Sequence, residues 1–267
     1  MSDTATLPDP GRVTALVLAG SRGPGDPVAL AAGVSHKAMA PVAGIPMLVR
    51  VVRTLLAVPF VGRIAVAIED AGVVRAEPEL AALADSGRLE LLPTAPSPAR
   101  TVGEALERLG TPLLVTTGDH PLLRPDWVSH FWTHLPPDAD VAVGLARSET
   151  VLAAVPETQR TWIRFSDAAY SGCNLFAFRT PASARVAELW RTVETERKNP
   201  LKLIGLLGPV AVARFALGRL SSTAALARLE RMSGVRGAFV EMPWGEAAVD
   251  VDKAADLVLA ERLLRAA

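Results

Sequence analysis

The sequence predicts an α/β protein on a doubly wound, mostly parallel sheet, with an added helical segment. Three observations carry that expectation. Short apolar runs bounded by glycine, proline or acidic residues recur, beginning with Val13-Thr14-Ala15-Leu16-Val17-Leu18-Ala19, and such runs read as strands buried on both faces. Stretches with apolar residues at helical spacing separate them, the rhythm of a parallel sheet. Polar clusters fall just past several of the strands, at the edge where open α/β sheets bind ligands.

Bulk properties narrow the class. The 267 residues suit one domain over 12–267, with a helical insertion at 198–236 and a flexible tail at 1–11. Lys plus Arg equals Asp plus Glu, 28 each, so no global field recruits nucleic acid or an acidic membrane. No apolar run reaches the roughly 18–20 residues of a membrane span, and the polar start carries no signal-peptide blocks. The single cysteine, Cys173, excludes an intrachain disulfide and a cysteine cluster for zinc. A cytoplasmic protein without a transmembrane segment is expected.

The elements follow in order. After Val13–Ala19 the chain turns through Gly20-Ser21-Arg22-Gly23-Pro24-Gly25-Asp26 and reaches Lys37. Met47, Leu48, Val51, Val52 and Leu55 form one face of a helix, with Arg50 and Arg53 outside. Ile64–Ile68 is a second strand closed by Glu69-Asp70, Glu77–Ala84 a helix, and Leu89–Leu92 a third strand. A proline-rich loop, Pro93–Arg100, precedes a helix to Leu109 that Thr101 caps, with Glu104 at the capping-box position. Pro112–Thr116 is a fourth strand ending in Thr117-Gly118-Asp119-His120-Pro121, and Arg124-Pro125-Asp126 opens a helix to about Leu135. Strands are expected at Asp140–Leu145, Thr161–Phe165, Leu175–Phe178 and Phe239–Glu241. Helices are expected from Pro181 to Arg197, through Leu203–Met232, and from Ala254 to Ala266.

Three polar clusters converge on this scheme. The Gly20 turn offers backbone N–H groups to an anion, with Arg22 and Lys37 adding positive charge. Asp119 projects from the sheet edge after Gly118, a solvent-edge carboxylate that supports little packing. Asp250 and Asp252 share a direction if Val251 points inward. Carboxylates from two distant parts of the chain are the hard oxygen ligands Mg²⁺ prefers. The competing readings are an ordinary loop for the Gly20 turn, a turn aspartate for Asp119, and the N-cap of the final helix for Asp252.

The ordered set of motifs resembles the MobA-like nucleotidyltransferases, a GT-A-type group. The matching pieces are Leu18-Ala19-Gly20 with Lys37, and Pro41 to Leu48. Thr117 to Leu122, Ser171-Gly172-Cys173-Asn174, and Asp250 to Leu257 complete the set. Ser21 stands where the family has a second glycine, and the interval from Arg22 to Lys37 is longer than usual. The resemblance implies a three-layer GT-A-type fold and an Mg²⁺-dependent transfer of NMP from an NTP, CTP or GTP, to a phosphorylated sugar, polyol, alcohol or cofactor precursor. It implies Lys37, Asp119 and Asp252 as catalytic residues, with Mg²⁺ on Asp119 and Asp252 and Asp250 as the further ligand. Leu18, Ala19, Gly20, Ser21, Arg22, Lys37, Thr94, Thr101, Gly118 and Asp119 would line the nucleotide. Ser171, Gly172, Asn174, Lys198 and Lys202 would meet the acceptor, although the two lysines read first as a solvated helix end.

Other signals are set aside. His130 and His134 have zinc-compatible spacing but lack the glutamate and third ligand, and read as a surface pair. His120 reads as a spacer, Cys173 as a small buried hydrophobe, and Trp127, Trp132 and Trp190 as packing. The amphipathic stretch after Pro200, with Lys202, Arg214, Arg219 and Arg228, reads as core packing or a homodimer face ahead of a peripheral membrane contact. Two other functions compete: a GT-A glycosyltransferase, which wants an Asp-x-Asp where the chain has Asp119-His120-Pro121, and a non-catalytic nucleotide-binding module. A dinucleotide-binding dehydrogenase is weaker, lacking a convincing ribose-reading acid after a second strand.

Overall fold

The structure, a computed structural model, describes residues 12–266 except 22, 24 and 197–207. The expected tail at 1–11 lies outside the described residues, as do Arg22, Lys198 and Lys202. The first half runs β1 (Val13–Leu18), α1 (Pro27–Ala32), β2 (Pro41–Val42), β3 (Ile45–Pro46), α2 (Met47–Leu56), β4 (Val61–Ala67), α3 (Ala71–Arg75), α4 (Pro78–Asp85), β5 (Leu89–Leu92), α5 (Pro98–Leu109), β6 (Leu113–Thr117) and α6 (Pro125–Thr133). The second runs β7 (Val141–Arg147), α7 (Ser148–Ala154), β8 (Ile163–Arg164), β9 (Ala169–Phe178), α8 (Ala184–Glu196), α9 (Pro209–Ala216), α10 (Ser222–Ser233), β10 (Gly237–Glu241) and α11 (Ala254–Ala266).

Eight strands form one sheet in the order β10-β7-β9-β6-β1-β4-β5, with β8 attached to β9. β5, β4, β1 and β6 are mutually parallel, and β10 is parallel to β7. β9 runs antiparallel to β6 and β7, which makes the sheet mixed. The carboxyl ends of β1, β4, β6 and β7 therefore share one edge with the start of β9.

Burial on both faces explains the continuous apolar runs. Along β1, Ala15 and Val17 enter one core and Leu16 the other; along β4, Ile64 and Val66 oppose Ala65 and Ala67. The first core is filled from α2, α6 and α11, the second from α5 and α8. Helices on both faces give the expected three layers. On α2 the buried residues include Met47, Leu48, Val51, Val52 and Leu55, each contributing roughly 1.5–3 kcal/mol when fully buried.

Four local expectations change. Thr101 does not cap α5: the helix starts at Pro98, and Ser97 accepts from Arg100 N at 3.4 Å. Proline at the first helical position suits a helix start, so the cap moves one turn upstream. The long interval before Lys37 holds α1, whose N-terminus Asp26 caps by accepting from Val28 N (2.9 Å) and Ala29 N (3.2 Å). The helix α7 was not expected from the sequence; it lies against Gly245, where a Cβ would sit 2.4 Å from the Thr150 carbonyl oxygen. Core packing is overturned for α9, which buries none of its residues and touches the rest of the chain through Phe215, whose ring packs on Phe165 at 6.5 Å.

Candidate active site

The carboxyl ends of β1 and β6 meet closely. Gly118 N donates to Leu18 O at 2.8 Å, and a Cβ on Gly118 would come within 3.2 Å of the Ala19 side chain. The close approach favours glycine here, and Asp119 leaves β6 directly beside the Ala19-Gly20 turn. Val251 N donates to Asp119 O at 2.9 Å, so the loop before α11 is tied to the same point.

Lys37 lies between the carboxylates these tethers bring in. Its Nζ donates to Asp119 Oδ2 at 2.5 Å and to Asp252 Oδ1 at 3.1 Å. Burial pulls the Lys37 pKa down, but the two carboxylates outweigh it and the net shift is upward from 10.5. Asp119 Oδ1 is buried without a hydrogen-bond partner. Asp252 turns Oδ1 to Lys37, while Asp256, in the first turn of α11, reaches back so that its Oδ2 accepts from Asp252 N and Lys253 N, each at 2.9 Å. Asp119 is not the lightly held edge carboxylate the sequence suggested, since it is largely buried and ion-paired.

Asp250 faces a different set of partners. Arg160 forms an ion pair with its Oδ1, and Asn174 Nδ2 donates to Oδ2 at 2.7 Å. Burial raises the Asp250 pKa, and the nearby Asp119 and Asp252 charges push the same way against Arg160. With both oxygens engaged, Asp250 orients Asn174 and the last loop. Gly172 and Asn174 are partly exposed, whereas Ser171 and Cys173 are buried, so of the four residues expected to meet the acceptor or flank it only Gly172 and Asn174 present surface.

The Gly20 turn is also more occupied than a bare anion cradle. Ser21 N donates to Glu69 Oε1 and Oε2 at 3.0 and 3.3 Å. His36 Nδ1 accepts from Ala38 N at 3.1 Å; that assigns the proton to Nε2, which lies 3.2 Å from Glu69 Oε1. Glu69 thus links the turn after β1 to the short helix carrying Lys37. Thr94 stands beside Gly20, its Cγ2 3.6 Å from where a Cβ would be. Thr101 is buried; its hydroxyl donates to Ser97 O at 3.1 Å and accepts from Ala95 N at 3.0 Å, bracing the loop that carries Thr94.

The remaining histidines and the cysteine keep structural roles. His120 is 1% exposed, and burial pushes its pKa down to about 4, against the raising effect of Asp119. It is therefore neutral at pH 7, and neither ring nitrogen has a hydrogen-bond partner. His130 and His134 stack at 3.8 Å, and no group of three metal-binding side chains exists among the described residues. Burial pushes the Cys173 thiol up to about 12, which suits an inert small side chain.

Sequence reasoning missed Glu69, His36, Arg160 and Asp256. Glu69 carried a readable signal, an acid just past the strand that neighbours β1. Arg160 carried none, because its loop has no periodicity.

A family model described as the MobA-like NTP transferase domain matches residues 15–238. Among solved structures, a hypothetical transferase from Thermus thermophilus is 30% identical, with a TM-score of 0.76, covering 92% of this chain and 99% of its own. A 4-diphosphocytidyl-2C-methyl-D-erythritol synthase from Anaerococcus prevotii DSM 20548 shares the fold at 13% identity and TM-score 0.60, covering 95% of this chain and 96% of its own. A CMP:2-keto-3-deoxy-manno-octonic acid synthetase complexed with CTP does so at 17% and 0.53, covering 95% and 98%. Comparison with curated proteins gives no match.

Proposed function

Because the chain belongs to the MobA-like NTP transferase family, we propose that it transfers a nucleoside monophosphate from CTP or GTP to a phosphorylated small molecule. The observation that carries the reading is Lys37 held between Asp119 and Asp252, three residues from distant stretches meeting at the sheet's ligand edge. An oxygen of the acceptor phosphate attacks the α-phosphorus; the new P–O bond forms as the bond to the β-phosphate oxygen breaks, and pyrophosphate leaves with that electron pair. The protein is asked to position two anions and to neutralise charge at the reacting phosphorus.

The donor set suits Mg²⁺. Two carboxylates already share one cation, and a buried Asp119 oxygen has no partner; Mg²⁺ is commonly held by one or two carboxylates with the rest of its shell from phosphates and water. When bound, it would supply charge neutralisation at the α-phosphate and the leaving group. Asp119 and Asp252 would hold it, Asp250 remaining with Arg160 and Asn174. Lys37, relieved of the carboxylates, would meet the phosphates of the NTP. Leu18, Ala19, Gly20 and Thr94 would flank the nucleoside, and Gly172 and Asn174 the acceptor; Lys198 and Lys202, the other acceptor residues expected from the sequence, lie outside the described residues. A cytidine nucleotide gains support from the cytidylyl names of two fold neighbours.

Pyrophosphate release should be measured with each of the four NTPs and Mg²⁺, against pooled sugar, polyol and alcohol phosphates. Release with one NTP and one acceptor class is the expected result. No release, together with no nucleotide-induced change in melting temperature, overturns the proposal.

A further inference from the structure

β9 carries an irregularity where it meets the site. It pairs Phe176 with Val143 and Gly172 with Leu145, so Cys173, Asn174 and Leu175 stand opposite Gly144 alone. A bulge of this kind re-aims a side chain. Asn174 takes a φ of +50°, a left-handed conformation that asparagine tolerates better than most residues. Its Nδ2 donates to Asp250 Oδ2 at 2.7 Å, while Arg160 holds Asp250 Oδ1 in an ion pair.

That arrangement fixes which way the amide points. An ion-paired carboxylate only accepts, so the amide nitrogen faces Asp250 and the oxygen faces away from it. Asn174 is partly exposed, and among the described residues its side chain makes no hydrogen bond besides the one to Asp250. On the other side of the buried Cys173, a Cβ on Gly172 would meet no described atom within 4 Å, so open space lies beside the amide on the strand. The sheet order settles which substrate this corner faces. β9 neighbours β6 on the side away from β1, β4 and β5. Gly20 and Thr94, which would flank the nucleoside, follow β1 and β5, so Asn174 falls on the acceptor's side of Asp119.

Resting on the transfer reading above, we propose that Asn174 Oδ1 accepts a hydrogen bond from a hydroxyl of the acceptor, which makes the acceptor a sugar or polyol phosphate. Gly172 leaves room for the carbon that bears the hydroxyl. A carboxylate or a second phosphate at this point would set lone pairs against lone pairs. An ammonium would sit near Arg160, across the same carboxylate, and like charges brought together are costly.

Pyrophosphate release by the full chain tests it, with glycerol 3-phosphate, ribose 5-phosphate and glucose 1-phosphate set against choline phosphate and ethanolamine phosphate. Turnover is expected with a hydroxylated acceptor and not with the last two. A monodeoxy analogue lacking the recognised hydroxyl should lose about threefold to tenfold in kcat/KM, the worth of one neutral hydrogen bond. Asn174→Gly, which suits the positive φ, should lose as much with the parent acceptor and little with that analogue, while the KM for the NTP stays unchanged. Gly172→Val fills open space, so it should raise the acceptor KM at an unchanged melting temperature. Equal losses by Asn174→Gly with parent and analogue overturn the proposal, since a merely structural amide would act on both alike. So does a raised KM for the NTP, or choline phosphate turned over as well as the hydroxylated acceptors. In each of those cases pyrophosphate release persists; no release with any acceptor would instead overturn the transfer reading, and this inference with it.

Discussion

Replacing Lys37 by Met removes the cation from between Asp119 and Asp252 while keeping most of the side-chain volume. At the observed 2.5 and 3.1 Å, each attraction is gross, about 5–7 kcal/mol at an effective dielectric near 20. Desolvation of the ammonium and repulsion between the carboxylates offset most of it. Fully buried pairs broken on one side cost about 3–5 kcal/mol, exposed ones about 0–1. Here the side chains are 12%, 21% and 51% exposed, so a loss near 2 kcal/mol is expected, about 4–8 °C in melting temperature for a chain of this size. The variant also leaves two adjacent carboxylates without their cation, so Mg²⁺ should raise its melting temperature more than that of the wild type, where the ammonium competes. The sign with pH follows from the raised Lys37 pKa: the wild-type advantage is complete below about pH 10.5 and disappears as pH rises through the higher folded value. Calorimetry across Mg²⁺ concentration and pH reads all three effects. A variant melting within about 1 °C of wild type, or an equal Mg²⁺ shift in both proteins, would refute the reasoning.

Three further outcomes are expected. Asp119→Asn keeps the shape but loses the charge, and pyrophosphate release should fall by about 10²-fold or more; activity within a few-fold of wild type would remove Asp119 from the chemistry. Arg160→Met leaves Asp250 buried without its guanidinium, a loss of about 3 kcal/mol. Relative to wild type its melting temperature should recover as pH is lowered from 7 to 5, because Asp250, already raised in pKa, takes up a proton; a pH-independent difference would contradict the pairing. His120→Leu removes a buried imidazole whose pKa is depressed to about 4. A depressed histidine contributes stability above its unfolded pKa of about 6.5 that is lost as pH falls toward 4, roughly 3 kcal/mol here, so the variant's urea midpoint should vary less over that window than the wild type's.

What the sequence revealed follows from burial. β1, β4 and β6 were legible because strand segments covered on both faces are mostly apolar, and β5, at the sheet's edge, was legible as a short leucine-rich run around Glu90. α11 was legible because its apolar residues recur at helical spacing. α7 was not, because Ser148–Ala154 is short and is fixed by contact with Gly245, a hundred residues downstream. The same division runs through the site. Lys37, Asp119 and Asp252 each sit beside a turn signal, and the structure brings them together. Arg160 and Glu69 act through partners far along the chain, Asp250 and Ser21, and no local pattern announces such a pairing.

Asp252 shows how much a single backbone bond can decide. It lies beyond residue 238, where the match to the family model ends, on a loop whose short turns alone leave its direction open. Val251 N donates to the carbonyl of Asp119 itself, so the second carboxylate is placed by reference to the first. Val251 is buried; on either side of it Asp250 meets Arg160 and Asp252 meets Lys37. Asp256 holds the N–H groups of Asp252 and Lys253, and the Asp252 side chain turns to Lys37. Lys37 between Asp119 and Asp252 therefore ties the end of β6 to the start of α11.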